Sequence, residues 1–218
     1  EAGADDFLTK SFDLLELRVR LWSGERIVRL RRQLAGRGGR PEATVWWRGA
    51  ALPAPAAALA NSVAVHALDL DDVHVSSTTH LTSVIVPAAM AAGEAAGAPG
   101  RAVLEAVAMG IEVAGRLGVV AKATRHTQGY LPTTVFGVFG GAAAAGRLRG
   151  LSAGRMAHAL GLAYAHVQGN RQALFDRTLA KRLQPAIAAR SGIEAACYAA
   201  RQRSEERRVG KECVSECR

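Results

Sequence analysis

Along the middle of this chain, apolar positions recur with the period of helices, and strand-like alternation is scarce. Residues 53–70 form an Ala/Leu/Val-rich run opened by prolines, which a helix tolerates in its first turn. Residues 83–96 continue in the same style, with Pro87 expected close to the first turn. Over residues 101–121, Val103, Leu104, Val107, Ile111, Val113 and Leu117 repeat at helical spacing. Residues 137–148 read as a helix of small residues, 153–167 as a helix capped by Ser152, and 183–201 as the last of the set. Residues 36–47 read as a loop feeding one short strand. The pattern predicts a mainly α fold, a bundle-like helical domain without internal repeats.

Composition sharpens this picture. A chain of 218 residues is long enough for one ordinary domain with a sizeable core. Hydrophobic residues make up 49% but aromatics only 5%, so alanine and glycine supply the bulk, as closely packed helices prefer. The net charge of +9 is spread along the whole chain, with no basic stripe and no interleaved aromatics, which argues against nucleic-acid binding. A mild positive bias also suits an enzyme for small carboxylates. Of the three cysteines, Cys197 reads as a small core residue. Cys213 and Cys217 lack the second pair or nearby histidine that a zinc site needs. The longest apolar run, residues 133–146, is shorter than the ~18 residues of a membrane span. The acidic start does not resemble a secretory signal, and the cytoplasm is the expected compartment.

Three stretches carry candidate chemistry. The first is Asn61-Ser-Val-Ala-Val-His66-Ala-Leu-Asp69-Leu-Asp71-Asp72-Val-His74, followed by Ser76-Ser-Thr-Thr-His80. If the helix continues through it, Asn61, Val65 and Asp69 share a face and His66 lies one turn before Asp69. Three carboxylates so close together require solvent, raised pKa values or nearby cations, and a solvated acidic loop is the plain alternative. Acids and imidazoles gathered at the end of an apolar helix are also what general acid–base work requires. The second stretch runs from His126 to Gly146 and does not fit a dinucleotide-binding pattern. Its glycines read as close helix packing, and the helix start after Pro132 offers N–H groups to a carboxylate. The third is Asp176-Arg-Thr-Leu-Ala-Lys181-Arg182-Leu-Gln184-Pro185, a Lys-Arg pair before a proline-started helix.

Taken together with Pro87-Ala-Ala, Glu94, Gly97, Gly110-Ile-Glu112-Val, Leu160-Gly and Lys181-Arg-Leu, these stretches resemble the MmgE/PrpD family in order and spacing. The resemblance covers roughly Gly38 to Ala200, and the partial helical domain is placed at residues 38–202. The block at Asp69-Leu-Asp-Asp combined with Phe136-Gly-Val-Phe-Gly-Gly-Ala-Ala-Ala-Ala-Gly146 is its specific part. The resemblance implies a large all-helical domain, a smaller lid domain missing from this chain, a homodimer, and no metal or organic cofactor. It implies proton abstraction next to a carboxylate on a small di- or tricarboxylate, as in 2-methylcitrate dehydratase, cis-aconitate decarboxylase or iminodisuccinate epimerase. By the same resemblance Asp69, His80 and Lys181 are catalytic; Asp72, Thr133 and Arg182 are expected to bind substrate. This chain departs from the family at Val73, Leu131 and Gln184, where threonine, histidine and histidine are usual.

The residue types suit that chemistry. Charge builds on a group already anionic, and an ammonium or guanidinium such as Lys181 or Arg182 stabilises it. A base such as His80 or Asp69 takes the proton, and an acid protonates a leaving hydroxyl. A competing reading, a magnesium-dependent isoprenoid-synthase-like enzyme using Asp71 and Asp72, lacks a further aspartate, since Val73-His74-Val75 follows. The ends read differently from the middle. Residues 1–21 resemble the last strand and helix of a response-regulator receiver domain, with Ser11 after Lys10 where that family has proline. Residues 203–218 resemble a translated adapter read-through. An inactive truncated or chimeric product is therefore the other expectation.

Overall fold

A computed structural model describes residues 39–47, 49–123, 129–176, 178 and 180–201. The receiver-like stretch, His126, and the tail with Cys213 and Cys217 lie outside the described residues. The expected single strand is a two-stranded hairpin, in which β1 (Ala43–Val45) runs antiparallel to β2 (Ala50–Leu52) with Ala43 opposite Leu52. Asn61, fully buried, fixes the hairpin to the first helix: its Nδ2 donates to the Thr44 carbonyl at 2.9 Å and its Oδ1 accepts from the Trp46 N–H at 3.1 Å. That residue of the polar stretch is therefore occupied structurally.

The helices are α1 (Ala54–Val65), α2 (Leu81–Ala96), α3 (Gly100–Ala123), α4 (Pro132–Leu148), α5 (Ala153–Ala165), the single turn α6 (Gln172–Phe175) and α7 (Ala180–Arg201). The mainly α expectation holds. Helix α4 lies at the centre, packed against α2, α3, α5 and α7, while α1 packs on α2 and α7. Small residues set these distances. A Cβ on Gly140 would lie 2.7 Å from the Gly110 carbonyl oxygen, and one on Gly110 would meet the Gly140 oxygen at the same distance. A Cβ on Gly192 would stand 2.8 Å from the backbone of Gly141 and Ala142. Helices α3 and α7 therefore each touch α4 backbone to backbone, which agrees with reading the α4 glycines as packing residues. Cys197 is half-buried against the same core, and burial pushes its thiol up from the ordinary value.

Helix ends differ from expectation where proline was taken as a start signal. Pro87 sits seven residues into α2, well past its first turn. Proline has no N–H to give the carbonyl four residues back. That carbonyl, of Ser83, instead accepts from the buried Ser62 hydroxyl at 2.6 Å, which gives it a partner and ties α1 to α2. Pro185 likewise lies inside α7, so the helix begins at Ala180 and carries Lys181 and Arg182 in its first turn. Ser152 caps α5 as expected, accepting from the Arg155 N–H. No helix of the described residues is long and apolar enough to cross a membrane.

Candidate active site

Helix α1 stops at Val65, not at Leu70, and His66 follows it as the C-cap. The chain then turns through Asp69, whose φ of 58° is left-handed, a conformation that aspartate adopts more readily than most residues. The helical register expected for Asn61, Val65 and Asp69 therefore does not extend to Asp69. The turn has a purpose visible in its side chains: Asp69 and Asp71 both point back toward His66. Beyond it, the loop to α2 is pinned by His74, whose N–H donates to the Thr79 carbonyl at 2.8 Å and whose Nδ1 meets the buried Ser77 hydroxyl at 2.7 Å. His74 is thus spent on the loop.

Six side chains converge at this turn. His66, 1% exposed, holds Asp71 through Nδ1, at 2.9 and 3.1 Å from the two carboxylate oxygens. Its Nε2 lies 3.5 Å from Asp69 Oδ1. His80 Nδ1 lies 3.7 Å from Asp71 Oδ2, and the two imidazoles meet edge to face with centroids 5.1 Å apart. From the far end of the domain, Lys181 donates from Nζ to Asp69 Oδ2 at 2.6 Å across 112 positions of sequence. Arg182, beside it, donates from Nε to the Ala67 carbonyl at 2.6 Å. Burial pushes the Asp71 carboxyl up, but the His66 hydrogen bond and the charges of His66 and His80 outweigh it, leaving Asp71 below the usual carboxylate range.

The expected site residues divide into two groups. Asp69, Lys181, Arg182 and His80 come together. Thr133, in the first turn of α4, joins them through its hydroxyl, which accepts the His80 N–H at 3.1 Å. Ser83 holds the other side of His80, donating to its carbonyl at 2.7 Å. Asp72 faces away and caps the start of α2, accepting from the Thr82 N–H at 2.9 Å and from its hydroxyl. Gln184, at a usual histidine position, makes a pair of bonds with the Asn170 backbone. His66 and Asp71 were passed over as site residues, although both lie in the stretch singled out. No local pattern marks them, because their placement depends on α1 ending at Val65 and on the left-handed turn at Asp69.

Ligand atoms of His66, Asp69, Asp71 and His80 lie within 4.8 Å of one another, close enough in space to surround a cation. The donors are already engaged in pairs, however: His66 with Asp71, and Asp69 with the Lys181 ammonium. A dication would sit beside an ammonium and a guanidinium, and these residues fit proton chemistry better than metal binding. The isoprenoid-type pairing of Asp71 with Asp72 is not available, because the two carboxylates turn to different partners.

Fold and cluster thus define a mainly helical domain with a buried centre of aspartate, histidine and lysine. Residues 22–205 match the MmgE/PrpD N-terminal domain, and the chain belongs to the MmgE/PrpD family. It is 36% identical over 162 residues to cis-aconitate decarboxylase of Homo sapiens, covering 72% of this chain and 33% of that protein. Over 144 residues it is 33% identical to cis-aconitate decarboxylase of Aspergillus terreus, covering 63% of this chain and 29% of the relative. With cis-aconitate decarboxylase of Mus musculus it shares 37% over 129 residues, or 56% of this chain and 26% of the other. The chain therefore spans no more than about a third of the length of these curated relatives.

Proposed function

We propose that this chain is the helical part of a lyase acting on a small tricarboxylate of the cis-aconitate type. The observation that carries the reading is the Lys181–Asp69 pair, closed at 2.6 Å between distant parts of the chain, with His80 at the edge of the same cluster. The His80 side chain is 14% exposed, more than His66, Asp71, Asp69 or Lys181, so an incoming substrate meets it first. In a decarboxylation, His80 delivers a proton to the far carbon of the substrate alkene. The carbon–carbon bond to a carboxylate on the neighbouring saturated carbon then breaks, its electron pair forms the new double bond, and carbon dioxide leaves. Lys181 and Arg182 hold the remaining negative charge, at a buried site where such charges act strongly. Asp69 keeps the ammonium in place. Dehydration of a 2-methylcitrate-type substrate uses the same groups in the opposite sense, with His80 as base. The names of the relatives favour the first substrate.

The test uses the full-length protein carrying this chain, supplied with cis-aconitate or 2-methylcitrate while carbon dioxide release and alkene absorbance are followed. Lys181→Ala is expected to lower kcat at least ~100-fold, the scale of losing one electrostatic stabiliser. His80→Ala is expected to cost roughly 10²–10⁴-fold, as loss of an acid–base group does. Turnover is expected to survive a chelator. Absence of turnover on both substrates, or full activity in Lys181→Ala, refutes the reading. Within the same reading the full-length protein is a homodimer, which light scattering measures.

A further inference from the structure

Both ring nitrogens of His66 face carboxylates. Nδ1 lies 2.9 Å from Asp71 Oδ2, and Nε2 lies 3.5 Å from Asp69 Oδ1. A neutral imidazole has one N–H and one lone pair, and only the imidazolium donates from both nitrogens. If Asp71 takes the Nδ1 proton, a neutral ring turns a bare lone pair toward a carboxylate oxygen. That oxygen, Asp69 Oδ1, is buried and accepts no hydrogen bond from the described residues. Asp69 is bound on its other oxygen by the Lys181 ammonium, which favours the carboxylate over the acid. The His80 ring packs edge to face on His66, and the Arg182 Nε is directed at the Ala67 carbonyl. Two acceptors facing each other in a dry site need one proton between them.

We infer that His66 is a positioning residue carrying that proton, an imidazolium held between Asp69 and Asp71 that fixes the working arrangement of the cluster. With it, two carboxylates are balanced by His66 and Lys181. Arg182, whose Nε donates to the Ala67 carbonyl, adds a further positive charge to this cluster. Without it, Asp71 is an uncompensated anion beside the substrate position, repelling the carboxylates it must admit. His66, at 1% exposure, has no route to the substrate itself and acts through Asp69 and Asp71. The inference rests on the lyase reading for its consequence in turnover, but not for the location of the proton.

Two measurements decide it. In the unsubstituted full chain labelled with ¹⁵N-histidine, long-range proton–nitrogen correlation at neutral pH is expected to show both His66 nitrogens protonated. In Asp69→Asn, whose amide can itself donate to Nε2, that nitrogen is expected to become unprotonated. A bare Nε2 in the unsubstituted protein overturns the proposal, as does a ring whose state is the same in Asp69→Asn. In the full-length enzyme, His66→Asn is expected to lower kcat roughly 100-fold, near the lower end for acid–base groups, with KM changed less than about twofold. An unchanged kcat, or a rise confined to KM, overturns the positioning role. If neither substrate is turned over at all, the lyase reading fails and the nitrogen spectra still decide where the proton is.

Discussion

Replacing Lys181 with methionine keeps most of the side chain's apolar length and removes its charge, leaving the Asp69 carboxylate in a largely buried site. Side-chain exposure is 4% for Lys181 and 8% for Asp69, so the discount for solvent-exposed pairs does not apply. At 2.6 Å the direct attraction amounts to about 6 kcal/mol for an effective dielectric of about 20. Desolvation of the two ions consumes much of this, so the pair as a whole adds little net stability. Breaking it from one side is different, because the abandoned charge stays buried, and typically costs about 3–5 kcal/mol. His66 Nε2, 3.5 Å from Asp69, provides partial compensation, which places the expectation for Lys181→Met near the lower end, about 3 kcal/mol. Asp69→Asn in the same protein removes the stranded charge, and the double variant is expected within about 1–2 kcal/mol of the parent. Urea unfolding followed by circular dichroism reads all four proteins. If Lys181→Met costs under about 1 kcal/mol, the scale of an exposed pair, the pair is not buried as described. If the double variant is as unstable as the single one, its loss comes from packing and not from charge.

Further outcomes follow from other contacts. Asp71, held below the ordinary value of 3.8, contributes stability that is present above that value and lost as pH falls through its lowered folded value. The stability of Asp71→Asn is therefore expected to fall less on acidification through this range than the parent's, and equal acid sensitivity in pH-dependent denaturation would contradict the assignment. Gly140→Ala puts a methyl group 2.7 Å from the Gly110 carbonyl oxygen and from Ile85, and is expected to cost about 1–3 kcal/mol by thermal or chemical denaturation. Asp72→Ala removes the acceptor at the start of α2 and is expected to cost about 1 kcal/mol with KM nearly unchanged. A tenfold rise in KM would instead return Asp72 to the substrate.

The helical architecture was readable because alanine-rich runs at helical spacing have few other ways to bury themselves, and the glycines of α4 pack closely as expected. Boundaries misled where proline was taken as a start. Pro87 and Pro185 are internal, and the bond from Ser62 to the Ser83 carbonyl that supports the first comes from another helix, beyond the reach of a local pattern. In the site, Asp69, His80 and Lys181 were legible through the family resemblance. The place of His66 and Asp71 was not, because it depends on α1 ending at Val65 and on the left-handed turn at Asp69. Asp72, expected to bind substrate, turns its carboxylate to Thr82, and Asp71, one residue before it in the same non-helical segment, reaches the cluster instead.

The 112-residue separation of Asp69 and Lys181 has a consequence for the order of folding. During synthesis Asp69 emerges well before its ammonium partner, in a turn that carries only the nearby His66, Asp71 and His80. Closing so long a loop is entropically costly and is repaid only by distant contacts, which places the event late. The centre therefore assembles when α7 docks on α1 and α4, and not before. A chain stalled short of α7 would keep helices but have no charge-balanced centre, so ordering of the Lys181 ammonium serves as a marker that the whole domain has closed.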